Sequence, residues 1–114
     1  MVSDQWATLA ALVRWLDAAN GTGDQEAAMR VLKVTEEAGE VAAALIGMAG
    51  QNPRKGVTHT AEDVAEELVD VAVTALVALH SFTPDPEAMF TTKLADIAQR
   101  VHATAQDTPD PQPP

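Results

Sequence analysis

Apolar residues recur three and four positions apart along most of this chain, and no alternating stretch bounded by hairpin turns interrupts them. The pattern predicts an all-α fold. The first stripe passes through Trp6, Leu9, Leu12, Val13 and Leu16. It predicts a helix capped by Ser3 and closed near Asn20 and Gly21, where glycine accepts a left-handed cap conformation. A second helix is expected from about Asp24 through Met29, Leu32, Glu36, Glu40 and Leu45, weakening at Gly47 and Gly50. The segment 50–60, GQNPRKGVTHT, combines proline, glycine and polar cap formers and reads as a loop. Thr60 followed by Asp63 resembles a capping box. It starts a third helix carrying Glu66, Glu67, Asp70 and the mostly apolar run Val71 to Leu79, which is expected to be the most buried. Thr83-Pro84-Asp85-Pro86 then ends that helix and starts a fourth, with Asp85 as N-cap and Pro86 preset for the first helical position, reaching about Ala105. Residues 107–114, DTPDPQPP, carry no large apolar group and are expected to form a disordered tail beyond an all-α domain of residues 1–106.

Composition narrows the use of such a fold. The 114 residues suffice for one small domain, but much of the 46% hydrophobic content is alanine, which offers little area for burial. A four-helix bundle-like protomer is therefore expected to complete its core by homodimerisation, as a homodimer or a dimer of dimers. Seventeen acidic against seven basic residues give a formal charge of −10, which leaves no basic face for a nucleic-acid backbone. The run Val71 to Leu79 is too short for a membrane span of about 20 residues, and no charged-then-apolar leader is evident. The expectation is a cytoplasmic protein. Without cysteine, thiol chemistry and disulfides are excluded, and any metal has to be held by oxygen or by histidine.

The acidic residues are unevenly placed. Glu36, Glu37, Glu40, Glu62, Asp63, Glu66, Glu67 and Asp70 all fall on the second and third helices. Spacing of three or four puts Glu36, Glu37 and Glu40 on one arc, and Asp63, Glu66, Glu67 and Asp70 on another, where like charges repel by a few tenths of a kcal/mol per pair. Two arrangements relieve that repulsion. Each arc faces water separately, as polar faces of amphipathic helices usually do, or the arcs face each other and a divalent cation neutralises them. The neighbours favour the second, because Glu40 precedes Val41-Ala42-Ala43-Ala44-Leu45-Ile46 and Asp70 sits within Leu68-Val69-Asp70-Val71-Ala72-Val73. Four carboxylates without nitrogen or sulfur favour magnesium first and manganese second.

The motif E-E-x-x-E in Glu36-Glu37-Ala38-Gly39-Glu40, followed after 26 residues by E-x-x-D in Glu67-Leu68-Val69-Asp70, resembles the signature of MazG-like nucleotide pyrophosphohydrolases. The segments KVTEEAGEVAAAL and AEELVDVAVTALVAL are similar to that family's two metal-bearing helices. The resemblance implies magnesium ligands at Glu37, Glu40, Glu67 and Asp70, with Glu36 placing the attacking water or supporting the ligands, so that Glu36 and Glu37 are the catalytic candidates. It implies a nucleoside triphosphate substrate cleaved between the α and β phosphates, in the service of clearing unwanted nucleotides. Lys93 falls where such proteins often carry a basic residue.

Substrate phosphate calls for positive groups, and Arg54, Lys55 and Lys93 are the first candidates, with Arg30 and Lys33 behind them. A glycine-flanked basic loop at Arg54 and Lys55 is suited to closing over phosphates, or is simply solvated; Lys33 is equally placed to pair with Glu37 along the helix. Trp6, Trp15, Phe82 and Phe90 read as packing groups before stacking platforms, and Met29, Met48 and Met89 as core fillers. His59, His80 and His102 stand apart from any serine or cysteine and are assigned no catalysis. Competing readings are a phosphoribosyl-ATP pyrophosphohydrolase, a non-catalytic nucleotide or metal sensor, and an acidic bundle that only self-assembles.

Overall fold

The computed structural model describes residues 4–107. Of the expected tail only Asp107 falls among them, and it closes the last helix; the remainder lies outside the described residues. Four helices follow one another, α1 (Gln5–Asn20), α2 (Asp24–Ala49), α3 (Ala61–Leu79) and α4 (Pro86–Asp107), and no strand occurs among the described residues. The all-α expectation holds.

Helix ends follow local chemistry, with one correction. The N-cap of α1 is Asp4 and not Ser3, because the Asp4 carboxylate accepts from the backbone N–H of both Trp6 and Ala7. A cap of this kind is worth about 1 kcal/mol. Gly21 closes α1 with φ +83° and ψ −174°, a positive-φ turn in place of the left-handed helical cap expected there. Gly50 does adopt the left-handed conformation and ends α2, whereas Gly47 remains helical. Thr60 and Asp63 form the reciprocal capping box at the start of α3. The Asp85 carboxylate accepts from the Ala88 N–H at 3.1 Å and caps α4.

The chain divides into two compact units, Met1–Pro84 and Asp85–Pro114. In the first, α2 and α3 form an antiparallel helical hairpin, and α1 packs on α3. The covered positions of α2 include Ala27, Arg30, Val34, Glu37, Val41, Ala44 and Met48, and those of α3 include Val64, Glu67, Val71, Thr74 and Ala78. Both sets run three and four apart, the spacing that keeps one seam facing a neighbouring helix. Leu9 and Val13 of α1 meet Val77 of α3 in a small core bordered by Trp6, Leu16 and Leu76. In the second unit α4 is the one described helix, and its side chains from Glu87 to Gln106 are exposed.

Burial is shallower than the sequence suggested. Within α3 only the C-terminal part, at Val77 and Ala78, is fully buried, while Leu68, Val69 and Val73 remain exposed; α3 nonetheless has the largest share of covered positions among the four helices, as expected. Two neighbours cover two of its faces and leave the third open. Met29 and Met89 are exposed rather than core, as are Trp15, Phe82 and Phe90.

Candidate metal centre

The hairpin seam brings acids from both helices together. Glu37 lies midway along the covered stripe of α2 and Glu67 on that of α3, and both are half-buried. Asp70, one turn beyond Glu67, joins them from the exposed flank. Carboxylate oxygens of Glu37, Glu67 and Asp70 all lie within 4.8 Å of one another. The facing arrangement of the two acidic arcs is thus the one the backbone adopts at these three residues.

Of the other sequence candidates, Glu40 is exposed and stands outside this oxygen cluster, although its charge reaches Glu67. Glu36 is exposed on the solvent side and accepts from the Lys33 ammonium at 3.3 Å. The helical partner of Lys33 is therefore Glu36, three residues on, and not Glu37.

No ion pair to Glu37, Glu67 or Asp70 is formed among the described residues; the pairs present are Arg30 with Asp17 and Glu26, and Lys33 with Glu36. Partial burial, and then the like charges of Asp70, Glu40, Glu37 and Glu66, push the Glu67 carboxyl above its ordinary value. Like-charge repulsion of this kind is relieved by protonation or by a cation.

Donor chemistry fits a small hard cation. All the donors are carboxylate oxygens, and ligands about 2.1 Å from magnesium stand roughly 3 to 4 Å apart in an octahedral shell. Three oxygens within 4.8 Å of one another need only small side-chain rotations to reach that spacing.

The basic candidates of the loop are held away from the acids. Arg54 and Lys55 are exposed on the connection between α2 and α3, where the Asn52 side chain accepts from the Arg54 N–H and its carbonyl from the N–H groups of Lys55 and Gly56. That connection is tied to α2 where the Thr58 N–H donates to the Gly47 carbonyl at 3.0 Å. From Gly47 back to Glu37 is roughly 15 Å of helix axis at 1.5 Å per residue. Lys93 is exposed on α4, in the other compact unit. Arg30 is not a free phosphate ligand, because it is buried and fully engaged by Asp17 and Glu26. Its pairing with Glu26 was legible as an i,i+4 spacing, whereas Asp17, thirteen residues away, was not. That leaves Lys33, one turn before Glu37, as the cation nearest the cluster along α2.

Compared with known proteins, the chain matches no family model, no curated protein and no solved structure.

Proposed function

We propose that this chain is a magnesium-dependent nucleoside triphosphate pyrophosphohydrolase of the MazG-like kind, releasing a nucleoside monophosphate and pyrophosphate in the cytoplasmic nucleotide pool. The observation that carries this reading is the convergence of Glu37, Glu67 and Asp70 from two facing helices onto one small volume, in the motif order described above. Glu37, Glu67 and Asp70 would hold the cation, with Glu40 as a fourth ligand. Magnesium bound there would supply positive charge against the phosphate oxygens and acidify the attacking water. Glu36, exposed and next in sequence to Glu37, orients that water. A carboxylate of the cluster takes its proton as the water oxygen bonds to the α phosphorus, the bond from that phosphorus to the bridging oxygen breaks, and pyrophosphate leaves with that oxygen. Lys33, Arg54, Lys55 and Lys93 are the cations to test for phosphate contact.

The same reading includes a homodimer. Leu32, Leu45 and Ile46 of α2 and Leu68 and Val69 of α3 are large apolar groups exposed on one protomer, more than a small monomer usually leaves to water. A second copy across the hairpin covers such surface.

Pyrophosphate release from a panel of ribo- and deoxynucleoside triphosphates, with magnesium and with chelator, tests the activity in the wild type and in Glu67→Gln and Glu40→Gln. Magnesium-dependent release abolished by Glu67→Gln is the expected result. Magnesium binding without release from any triphosphate would replace this reading by phosphoribosyl-ATP hydrolysis or by a sensor.

A further inference from the structure

Beside the acids, on the α1 side of the hairpin, lies a cavity of about 370 Å³. Its apolar walls are Leu16 of α1, Met29 of α2, and Val73 and Val77 of α3. Asn20, Lys33 and Thr74 bring polar groups to the same cavity. Lys33 precedes Glu37 by one turn and Thr74 follows Asp70 by one turn, so cavity and acid cluster adjoin along the same two helices. One turn is roughly 5.4 Å, the order of span that a pentose bridges between a base and its α phosphate.

On the reading of the acids as a triphosphate centre, we propose that this cavity receives the nucleoside half of the substrate, with the base among Leu16, Met29, Val73 and Val77 and the phosphates directed past Lys33 toward Glu37, Glu67 and Asp70. Three features select a nucleoside over other occupants. The volume falls in the range of small-ligand sites, about 300–1,000 Å³, and suits a base with its sugar rather than a whole triphosphate. Of the two cations on its lining, Arg30 is locked by Asp17 and Glu26, and Lys33 lies one turn from Glu37, on the side where a phosphate rather than the uncharged ring would meet it. The Asn20 amide has one engagement, a hydrogen bond donated to Glu26 at 3.3 Å, and keeps a carbonyl and a second N–H for the edge of a base.

No aromatic side chain lines this cavity. The base is therefore held between aliphatic groups and the polarizable Met29 sulfur rather than stacked, and discrimination falls to the Asn20 amide and the Thr74 hydroxyl. Lys33, held only by an exposed pair with Glu36, is free to swing to the α phosphate.

The four methionines make the proposal directly observable. In protein labelled with ¹³C at the methionine methyl groups, uncharged nucleosides are titrated without metal. The Met29 methyl is expected to shift saturably with a subset of nucleosides while Met48 and Met89 stay still. Val73→Phe, which fills the cavity, abolishes the shift, and Asn20→Ala changes which nucleosides produce it. Absence of any Met29 response would overturn the proposal, as would a Met29 shift driven by protein concentration alone, which assigns the cavity to a second copy. Failure of the hydrolase reading is distinguishable: a Met29 response without triphosphate turnover keeps the nucleoside site and removes the reaction, and turnover with an unresponsive Met29 does the reverse.

Discussion

Replacing Arg30 tests whether the junction of α1 and α2 is held by charge or by packing. The residue is 5% exposed; its Nη1 donates to Asp17 at 2.9 Å, its Nε to Glu26 at 2.8 Å and its Nη2 to the Gly21 carbonyl at 3.4 Å. Burial alone would lower the guanidinium pKa, and the hydrogen bonds to Glu26 and Asp17 outweigh it, so the group is held above its ordinary value. Methionine keeps the stem and removes the charge. Breaking a buried pair by deleting one partner costs about 3–5 kcal/mol. Here the Asp17 and Glu26 side chains are 34% and 17% exposed and regain water, which reduces the expected loss to about 2–3 kcal/mol. Arg30→Lys keeps the charge but cannot bridge two carboxylates with a planar fork, and loses about 1 kcal/mol.

Urea unfolding followed by circular dichroism at several pH values measures both the size and the origin of the loss. The Glu26 carboxyl is held below its ordinary value, foremost by the hydrogen bond from Arg30. A carboxylate depressed in the folded state contributes stability above its unfolded pKa and loses it as pH falls through the folded one. The gap between wild type and Arg30→Met should therefore be full at neutral pH, begin to narrow as pH falls past the ordinary glutamate value, and close below the lowered one. A loss under about 0.5 kcal/mol, or one equally large at low pH, would refute the ion-pair account and leave packing of the stem as the cause.

Three further outcomes are expected. The Asp63 carboxyl is lowered first by the hydrogen bond from the Thr60 backbone N–H, so Asp63→Asn should destabilise the protein at neutral pH, and the difference should vanish as acid protonates the wild type, by thermal melts at each pH. Glu67, being raised, makes metal-free wild type lose stability as pH climbs from the ordinary value through the raised one; Glu67→Gln should flatten that fall, raise the metal-free Tm at neutral pH and abolish stabilisation by magnesium. A side chain at Gly47 would collide with the His59 ring and the Thr58 hydroxyl, so Gly47→Ala should loosen the connection despite a helix-propensity gain of about 1 kcal/mol, seen as faster tryptic cleavage at Arg54 and Lys55.

What was legible in the sequence follows a physical division. Turn and cap chemistry is local, so the Thr60–Asp63 box, the Asp85–Pro86 start and the left-handed Gly50 could be read directly. Ser3 and Asp4 are adjacent and both good caps; the difference between them is that the Asp4 carboxylate reaches two N–H groups. Glu37, Glu67 and Asp70 were legible, together with Glu40, because three-and-four spacing puts acids on one arc of each helix and their apolar neighbours mark those arcs as facing. The motif treats Glu40 and Asp70 alike, each three residues after a seam glutamate, yet only Asp70 brings its oxygen to the others. Spacing fixes an arc, and rotamer and helix offset decide contact. The place of Arg54 and Lys55 depends on where the connection is tied down, at Gly47, which is a tertiary fact. Met29 and Met89 were misread because an apolar residue at helical spacing names a face without naming what covers it.

Two glutamates in the middle of a helical seam raise the question of why the hairpin stays closed. Val34 and Val41 flank Glu37, and Val64 and Val71 flank Glu67, so each acid interrupts an otherwise small, apolar stripe. The attachments lie to either side of the acids. Toward the α1 end stand the Leu9, Val13 and Val77 core and the Arg30 pairs; toward the other end the buried Ala44 lets the helices approach, and Thr58 bonds to Gly47. Packing at both ends therefore bears the repulsion at the centre and sets how far apart Glu37 and Glu67 stand. The spacing of the acids is then a property of residues that carry no acid. On the metal reading proposed above, a change at Arg30 or at Gly47 should alter cation affinity through the separation of the two helices, with every carboxylate side chain retained.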